Sequence, residues 1–550
     1  MSQVQQAQFK VSKAADEAFS LEEGLSSGVG RAPERRPPIL LGDRQLHSFL
    51  ANGYLRLQTS LPDDFHARMH VAAKRMLGHL AIDNPGNNFL PLTPELLRVV
   101  DDPAIKGALI SVLGPDFWLH PHRYPHDNPP GSEEQVWHHD SYWGYKRKVH
   151  DHRPWWVMIM YYPQEVYPEI GPTGVAAGTY CFAQRPDDID ALGYAASGPA
   201  GTCLMIHYDV WHRKMKNVTQ NERFMLKFEF TRMSRPEAPG WACEDTAWRL
   251  PDDLPGHRVD ELYRQQWYWL AGMAPPRVAA PVEGGEVERL VEALSSGAPK
   301  ARRDAALALG RLGPAAAPAI SALKAALHDG FEPASLNAAY ALSAIGEPTI
   351  PALIEVLLGN DGESVDDPRI LVDEGQHAEV EMPARNAAHA LVGIGVAASA
   401  PLVAAYAGAG PRVRKYIAYA LGQIGAEDAS VYEVLEAGAA DPDVYVRISA
   451  VEALGLMRGR PQAVRALLHA MRDAEDEVRF NAVQSIARLA PKEPAVIAAL
   501  EDALYDGNRY VVGYALEALD RIGTREAQAL LIPFLKAARW CPKTNPKSQF

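Results

Sequence analysis

Cysteine and long apolar runs are both scarce in this chain, and each absence excludes a class of protein. The cysteines, Cys181, Cys203, Cys243 and Cys541, lack the short paired spacing of zinc sites or disulfide frameworks. The N-terminus lacks the apolar core of a signal peptide, and no apolar run approaches the roughly 18 residues of a membrane span. We therefore expect reduced thiols, a cytoplasmic location and no membrane partner.

Positive charge is also in deficit. Lys and Arg number 55 against 68 Asp and Glu, which gives a formal net charge of -13. Such a balance disfavours nucleic acid as a partner. A length of 550 residues exceeds what one hydrophobic core supports, so we expect a multidomain protein.

The composition of the chain changes near residue 275. Before this point Trp, Tyr, His and Pro are frequent and turns break short apolar runs, which indicates short strands with some N-terminal helix. After it, Ala and Leu predominate. The stretch GMAPPRVAAPVEGG, residues 272–285, has the Pro and Gly content of a linker. We predict an N-terminal extension over 1–37, a first domain over 38–271 and a second over 286–540.

The second half of the chain repeats itself. Segments related to ALGRLG begin at positions 308, 341, 390, 420, 453, 485 and 518, separated by 33, 49, 30, 33, 32 and 33 residues. A helical pattern precedes each segment, as in DPDVYVRISAVEALG, so each unit is expected to be a helix pair. The units resemble HEAT-like repeats, which implies an all-α solenoid whose units bury their apolar faces on one another.

One interval is 49 residues long because it contains an acidic insertion, residues 360–382. Its many carboxylates face a single arginine, Arg369. Blocks of like charge usually lie in water, which favours a solvated surface loop. The alternative is a lid or a partner-contact loop, since insertions in solenoids map to one face.

The stretch QVWHHDSYWGY, residues 135–145, places two histidines and an aspartate among aromatic rings. If it forms a strand, residues two apart project from the same face, so His138 and Asp140 point together while His139 points away. An H-x-D pair alone has low specificity, because a surface histidine beside an aspartate gives the same letters. Further residues are needed to distinguish the two cases.

A second element supplies such residues. GTCLMIHYDVWHRKMKNVTQNERFMLKFEFTR indicates a strand, a turn around Asn217 to Asn221 and an alternating strand from Arg223. His212 precedes Arg223 by eleven residues. Together with FLANGYLRLQTSLP, the HHD motif and GPTGVAAGTY, this pattern resembles the phytanoyl-CoA dioxygenase family of iron(II)- and 2-oxoglutarate-dependent oxygenases.

The resemblance implies a double-stranded β-helix, a jelly-roll or cupin-like fold, with flanking helices. It implies His138, Asp140 and His212 as the catalytic iron ligands, and Arg223 as the residue that binds the distal carboxylate of 2-oxoglutarate. The implied cofactors are iron(II), 2-oxoglutarate and O2. The implied reaction hydroxylates, or otherwise oxidises, an unactivated C–H bond and releases succinate and CO2.

The residue types suit this chemistry. Two imidazoles and one carboxylate on one face of an octahedral iron leave three positions open, as non-heme oxygenases require. The planar fork of Arg223 can donate two parallel hydrogen bonds to a carboxylate. Related halogenating enzymes have a small residue in place of the aspartate, so the retained Asp140 favours hydroxylation over halogenation.

Several positions bear on how the co-substrate is held. Arg213 follows the distal histidine where the family often has a small residue, and Tyr180 closes the central turn in place of a histidine. Lys214 replaces a residue that is often a hydroxyl, and either binds the co-substrate carboxylate or points into solvent. His122, or Arg123 beside it, lies where the family places a polar contact to 2-oxoglutarate.

Other histidines offer alternative ligand sets. His207 precedes His212 by five residues and is an alternative distal ligand, but its spacing to the arginine would then be sixteen, which favours a core or supporting role. His120, His122 and His126 form an alternative second metal set, although prolines interrupt that stretch.

Aromatic residues surround the proposed iron site in sequence. About half of them should belong to an ordinary jelly-roll core, because aromatic rings bury large areas. The rest are candidates for a substrate pocket, for which we predict His139, Trp137, Tyr142, Trp143 and Trp156. The stretch KRKVHDHR, residues 146–153, is either a basic lip that binds an anionic substrate group or a solvated loop.

Two functions of different class are consistent with these patterns. The leading one is an iron(II)/2-oxoglutarate dioxygenase that acts on a small-molecule or carrier-bound substrate, whose identity the sequence does not reveal. The alternative is a non-catalytic scaffold that retains the oxygenase fold and binds a protein partner through the solenoid. The intact triad and Arg223 favour the enzyme.

Overall fold

A computed structural model describes five stretches of the chain. They are residues 36–77, 86–140, 149–362, 374–457 and 460–537, with only the main chain described over 374–380. The predicted N-terminal extension therefore lies outside the described residues, apart from its last two positions. From Pro38 onward the chain forms one compact unit, so the sheets and the helical repeats described below share an interface.

The first half of the chain contains two antiparallel sheets. The strands are Tyr54–Gln58 (β1), Trp118–Asn128 (β2), Trp156–Tyr161 (β3), Thr173–Ala176 (β4), Gly193–Ala195 (β5), Thr202–His207 (β6), His212–Lys214 (β7) and Arg223–Thr231 (β8). The larger sheet has the order β1-β6-β3-β8-β2, and the smaller has the order β5-β4-β7. The predicted strands are present as antiparallel sheets, whereas the double-stranded β-helix connectivity and the domain boundaries stay predictions.

The sequence of β8, RFMLKFEFT, shows how the larger sheet is buried on both faces. Successive side chains alternate between faces. Phe228 and Phe230 pack with residues of the N-terminal helices in one core, whereas Arg223, Lys227 and Glu229 project from the other face. The helices of this half are Asp43–Asn52 (α1), Asp63–Leu77 (α2), Phe89–Leu92 (α3), Leu97–Val100 (α4), Pro103–Leu113 (α5) and Asp260–Leu270 (α6).

Polar contacts join the polar face of the larger sheet to the smaller sheet. The Tyr162 hydroxyl, just after β3, donates to Thr173 Oγ1 on β4 at 2.8 Å. Arg223 Nε donates to the Gly171 carbonyl, just before β4, at 3.0 Å. The side chains that leave β8 on this face are therefore enclosed between the two sheets.

The second half is an array of packed helices, as predicted. The helices are Glu286–Leu294 (α7), Pro299–Leu312 (α8), Ile320–Ala326 (α9), Glu332–Ile345 (α10), Ile350–Gly359 (α11), Glu374–Ile394 (α12), Ser399–Tyr406 (α13), Pro411–Ile424 (α14), Ala429–Ala439 (α15), Val444–Leu456 (α16), Pro461–Ala470 (α17), Asp476–Leu489 (α18), Pro494–Ala503 (α19), Arg509–Ile522 (α20) and Arg525–Ala537 (α21). The repeated segments end the even-numbered helices from α8 to α20, and these helices contact one another in series.

The acidic insertion differs from the prediction in its C-terminal part. Helix α12 begins at Glu374, so residues 374–382 are helical rather than a loop. Glu381 is also not solvated, because its carboxylate pairs with Lys415 Nζ at 2.6 Å. Residues 363–373 lie outside the described part of the chain.

An arginine–aspartate pair recurs along the array. The pairs are Arg302–Asp329, Arg414–Asp441, Arg447–Asp473 and Arg479–Asp506, with N···O distances of 2.5 to 2.8 Å. Each aspartate also accepts a hydrogen bond from the main-chain N–H two residues further on. Each pair therefore joins one repeat to the next and stabilises the start of a helix.

The ends of the repeated helices show one irregularity. The helices are followed by Gly313, Gly346, Gly395, Gly425 and Gly523, each with positive φ. Ala490 occupies the equivalent place after α18 with φ of 44°, and it is the only non-glycine residue with positive φ among the described residues. A Cβ atom disfavours this conformation, so one repeat end carries backbone strain.

The even-numbered helices form the layer that faces the sheets. All fourteen residues of α10 are buried, because this helix lies between its neighbours in the array and the first half of the chain. Gln423, at the end of α14, accepts from Trp155 Nε1 at 3.1 Å and donates to Asp151 Oδ1 at 2.9 Å. Arg235, after β8, donates to the carbonyls of Gln423 and Leu456, at the C-terminal ends of α14 and α16.

The last repeat also contacts β2 directly. A Cβ atom placed on Gly513 of α20 would lie 2.8 Å from Pro121 Cγ, so the helix and the strand approach more closely than any other residue would allow. Nearby, Tyr510 and Tyr514 hydrogen bond to histidines of β2. The solenoid therefore packs along the sheet half from its early repeats to its last.

One stretch of the described residues passes a test of length and apolar composition for a membrane span. It covers Pro299–Ala326, which comprises α8, a 3-10 segment and α9. Leu309 and Leu323 within it are buried in the core of the repeat array. Its apolar character is therefore accounted for by packing between repeats.

Candidate metal centre

The structure brings His138, Asp140 and His212 together between the sheets. The main chains of His138 and His212 exchange two hydrogen bonds, of 3.0 and 2.9 Å, in an isolated antiparallel bridge. Directly opposed residues place their side chains on the same face, and the two ring centroids are 4.6 Å apart. His212 Nε2 lies 3.8 Å from Asp140 Oδ2, and one donor atom from each residue lies within 4.8 Å of the others.

Both imidazoles are oriented by their own main chain. His138 Nδ1 lies 3.0 Å from the Val136 carbonyl, and His212 Nδ1 lies 3.0 Å from the Val210 carbonyl. A carbonyl oxygen only accepts, so each Nδ1 carries the hydrogen and each Nε2 offers a lone pair. Burial lowers the pKa of His212 to about 4, which keeps it neutral near pH 7. The two histidines therefore have the tautomer that a metal ion requires.

A buried lysine accompanies the carboxylate. Lys227 Nζ donates to Asp140 Oδ2 at 2.8 Å and lies 3.4 Å from Glu229 Oε1. Burial alone would raise the pKa of Asp140, but the Lys227 ammonium and the two imidazoles lower it below its usual range. The donor set of two imidazoles and one carboxylate thus fits iron(II) or a similar ion.

A second feature of the same space fits a carboxylate ligand. Arg223 is 1% exposed, and its Nη1 has no hydrogen-bond partner among the described residues. Burial lowers the pKa of Arg223, since few charges compensate the guanidinium. His126, opposite Met225 in the β2–β8 register, also has a buried Nε2 without a partner in the described chain. Arg223 and His126 therefore present unused hydrogen-bonding groups that a dicarboxylate would satisfy.

His122, predicted to contact 2-oxoglutarate, lies instead toward the solenoid. Its Nδ1 is 2.9 Å from the Tyr510 hydroxyl and its Nε2 is 3.6 Å from Glu229. His120 makes the corresponding contacts, with Nε2 2.5 Å from the Tyr514 hydroxyl and Nδ1 3.6 Å from Glu229. These histidines link α20 through Glu229 to Lys227, and the alternative metal set of His120, His122 and His126 is not among the clusters of metal-ligating groups in the described residues.

The predicted substrate-pocket residues are dispersed. Trp137 lies on the face opposite His138, donates to Asp190 Oδ1 at 2.9 Å and belongs to a small core with Trp211. Its predicted substrate contact therefore has no support. Trp156 is buried near His120, four residues along β3 from Met160, the residue paired with Lys227.

Other predicted residues have different outcomes. His139 also points away from the triad, against the edge of Trp211, as the alternation of a strand requires. Lys214 follows His212 by two residues on β7 and is half-buried, so its binding role stays a prediction. Tyr142 and Trp143, with Lys146, Arg147 and Lys148 of the basic stretch, lie outside the described residues.

The alternative distal ligand, His207, is held elsewhere. Its ring stacks on Tyr180 with centroids 4.5 Å apart, and its Nδ1 accepts from the Asp209 main-chain N–H at 3.2 Å. His212 lies beside Asp140 instead. Tyr180, which departs from the family pattern, donates to the Leu50 carbonyl at 2.7 Å and so has a structural role.

Lys227 and His126 are the functional candidates that sequence reasoning missed. A signal for Lys227 was present, because it follows Arg223 by four residues on an alternating strand and must share its face. His126 could not be placed in this way, since its position depends on the register of β2 against β8. The prolines of β2 also argued against a strand in the sequence, although the pairing of β2 with β8 continues through Pro125.

Comparisons with known proteins give two kinds of match. The family of HEAT repeats matches residues 287–367 and 432–520, both within the helical array. No curated protein matches the chain. The repeat half is thus similar to HEAT repeats over these two stretches.

Several solved structures resemble part of the chain. EctD from S. alaskensis, in a crystal with 2-oxoglutarate and 5-hydroxyectoine, is 19% identical, with 41% of this chain and 93% of that one covered and a TM-score of 0.31. The non-heme monooxygenase ThoJ, as its nickel complex, is 18% identical, with 41% and 94% covered and a TM-score of 0.28. The α-ketoglutarate-dependent carbocyclase SnoK of nogalamycin biosynthesis is 14% identical, with 36% and 88% covered and a TM-score of 0.29.

Proposed function

We propose that this chain is an iron(II)- and 2-oxoglutarate-dependent oxygenase that hydroxylates an unactivated C–H bond of a small-molecule or carrier-bound substrate. The observation that carries the proposal is the meeting of His138, Asp140 and His212, with Nδ1 of both imidazoles directed at main-chain carbonyls and Nε2 of His212 3.8 Å from Asp140 Oδ2. Three protein ligands on one side of an ion leave positions for a co-substrate and O2. When bound, iron(II) supplies the oxidising chemistry, in which 2-oxoglutarate and O2 give succinate, CO2 and an oxygen atom for the substrate.

The chain's own residues would bind and orient the reactants. Arg223 would hold the distal carboxylate of 2-oxoglutarate through its unpartnered Nη1, while Gly171 fixes the guanidinium through Nε. His126 would donate a further hydrogen bond from the same face. Lys227 would hold Asp140 in place through its 2.8 Å hydrogen bond. Because these groups are buried, they would also exclude water from the reacting atoms.

The binding experiment uses the weak visible charge-transfer band of iron(II) chelated by 2-oxoglutarate. Titration of the anaerobic protein with 2-oxoglutarate should produce the band, and Arg223→Leu should weaken co-substrate binding by about 100-fold, the loss expected for a buried charge-assisted pair of about 3 kcal/mol. Arg213→Leu is the matched control, because that guanidinium pairs with Glu134 and Asp190 on the other side of the strand. An unchanged dissociation constant in Arg223→Leu would contradict this role.

A second pair of variants tests the distal ligand. His212→Ala should abolish the band, whereas His207→Ala should retain it, because only the former imidazole lies beside Asp140. The reverse result would identify His207 as the ligand. Absence of the band in the unmodified protein would leave the alternative, a non-catalytic scaffold.

The scaffold alternative needs a free solenoid surface for its partner. The even-numbered helices already contact the sheet half through residues such as Gln423 and Tyr514. A protein partner would therefore have to bind the odd-numbered helices or the ends of the array. We propose that the solenoid supports the oxygenase half, and substrate-stimulated release of succinate would identify the substrate.

A further inference from the structure

A second cluster of metal-ligating side chains lies on the other face of the segment that carries the triad. It consists of His139, His150 and Asp209, and one donor atom from each lies within 4.8 Å of the others. His150 Nδ1 is 3.4 Å from Asp209 Oδ1, and the rings of His139 and His150 are 5.5 Å apart. The proposed oxygenase chemistry uses none of these residues.

His139 is the member that most needs explanation. It is 4% exposed, and neither of its ring nitrogens has a hydrogen-bond partner among the described residues. An unsatisfied buried polar group destabilises a fold by about 1–3 kcal/mol. Coordination of a metal ion would give one of these ring nitrogens a partner.

Asp209 supplies the charge. It is 1% exposed, and a buried carboxylate requires a cation or several hydrogen bonds. Its described ion pair is with His150, which is half-buried. One carboxylate and two imidazoles form the same donor set as the triad, and a divalent ion would give the unpartnered ring of His139 a ligand.

The neighbouring His207 is not a further ligand. Its Nδ1 accepts the Asp209 main-chain hydrogen at 3.2 Å, so in the neutral ring Nε2 carries the hydrogen. Burial lowers the pKa of His207 to about 3, which excludes the doubly protonated ring near pH 7. A fourth coordination position would therefore be filled by water.

The geometry points to a second divalent-cation site at His139, His150 and Asp209, suited to Zn2+ and structural in role. Bonds of about 2.1 Å in a tetrahedral site put ligand atoms about 3.4 Å apart, so the side chains would close in by roughly 1 Å. The ion would join the chain beside His138 to the turn that precedes His212. It would thereby hold the main chain of the triad in place from the face opposite the triad side chains, whatever reaction the triad performs.

The metal content of the full-length protein tests this site. The purified chain is stripped with a chelator, reloaded anaerobically with Zn2+ alone, desalted, and measured by inductively coupled plasma mass spectrometry. We expect two zinc ions per chain. His139→Ala/His150→Ala and Asp209→Asn should each hold one, as should His138→Ala/His212→Ala, since each variant keeps one complete set.

His47→Ala is the matched control. His47 is also buried with an unpartnered ring nitrogen, but it packs against Trp248 and Trp267 rather than metal-ligating groups. This variant should retain both ions. A zinc content that is the same in the unmodified chain, His139→Ala/His150→Ala and Asp209→Asn would overturn the assignment and leave a hydrogen-bonded His–Asp pair. One ion fewer in both variants would support it even if the triad binds no zinc.

A spectroscopic measurement on the unmodified protein covers the case in which the variants fail to fold. Stepwise loading with Co2+ should give one equivalent with the intense visible absorption of four-coordinate cobalt and one with the weak absorption of six-coordinate cobalt. A single equivalent of the six-coordinate type would overturn the proposal. The assay does not depend on turnover, so it remains decisive if the oxygenase proposal fails.

Discussion

The two halves of this molecule bury charged side chains in opposite ways. The solenoid repeats one device, an arginine and an aspartate 26 or 27 residues apart that join successive helix pairs. The sheet half uses contacts that occur once, such as Lys227 with Asp140 across 87 residues. Repetition makes each solenoid pair one of several. Stability is therefore distributed over many contacts in the solenoid, whereas function and docking depend on single residues in the sheet half.

The largest effect should come from acidifying the boundary between the halves. Burial lowers the pKa of His120, His152 and His389, and that of His122 to about 3. Since these values lie below the unfolded value of 6.5, the unfolded chain takes up protons first as the pH falls. Stability is therefore complete above pH 6.5 and declines toward pH 3, with on the order of 3 kcal/mol lost by pH 4 from His122 alone.

Urea denaturation followed by tryptophan fluorescence at pH 7, 6, 5 and 4 measures this loss. His122→Asn should show a smaller decline than the unmodified protein. A free energy of unfolding that does not change between pH 7 and pH 4 would mean that these rings are not buried between the halves.

Removing one residue of the boundary should be nearly as damaging. Gln423→Ala removes the acceptor of Trp155 Nε1 and one of the donors to Asp151. We expect a loss of about 2–5 kcal/mol in the free energy of unfolding, because an unsatisfied buried group costs about 1–3 kcal/mol and a hydrogen bond to a charged group contributes about 1.5–3 kcal/mol. Gln462→Ala, at an exposed position of α17, should change it by less than about 0.5 kcal/mol. Equal effects of the two variants would contradict a unique role for Gln423.

A repeated contact should matter less. Arg447→Met removes the pair with Asp473 but keeps the aliphatic part of the side chain and the other pairs of the array. Partly exposed bidentate pairs contribute about 1–2 kcal/mol. Denaturant titration should show that loss, with the charge-transfer band retained. A loss of stability as large as that of Gln423→Ala would show that the other arginine–aspartate pairs of the array do not compensate for the one removed.

The smallest effect should be a gain. Ala490→Gly relieves the one left-handed alanine among the described residues, where other repeats have glycine. We expect a stabilisation of about 0.5–1 kcal/mol, the size of the left-handed penalty after the flexibility of glycine in the unfolded chain is deducted. Thermal unfolding monitored by circular dichroism would detect it, with Ala453→Gly inside α16 as the destabilising counterpart. A lower melting temperature for Ala490→Gly would show that the Ala490 methyl group packs productively.

The predictability of each feature follows from the same contrast. The period near 33 residues located every repeated helix, because local contacts recur in the sequence. Spacing and resemblance indicate His138, Asp140 and His212, whose donor atoms lie together in space, whereas the role of Arg223 stays a prediction. Nothing in the sequence relates His120 to Tyr514, which is 394 positions away. That contact depends on how a solenoid with many similar repeats is aligned on the sheets.

Trp137 and His139 show a different limit. Both were assigned to the substrate pocket because they are adjacent to the triad in sequence. The antiparallel bridge at His138 sends its neighbours to the opposite face, so sequence adjacency misled. The alternation of side chains along a strand places both Trp137 and His139 on the face opposite His138 and Asp140.

The attachment of the solenoid at successive repeats has a mechanical consequence. Helical-repeat arrays can change their curvature, because small rotations between neighbouring repeats add up along the array. Here three different repeats are hydrogen bonded to the sheet half, through Tyr340, Gln423 and Tyr514. The solenoid cannot unwind unless these contacts break, so tension applied at the C-terminus would be transmitted to the strands that carry the candidate metal ligands.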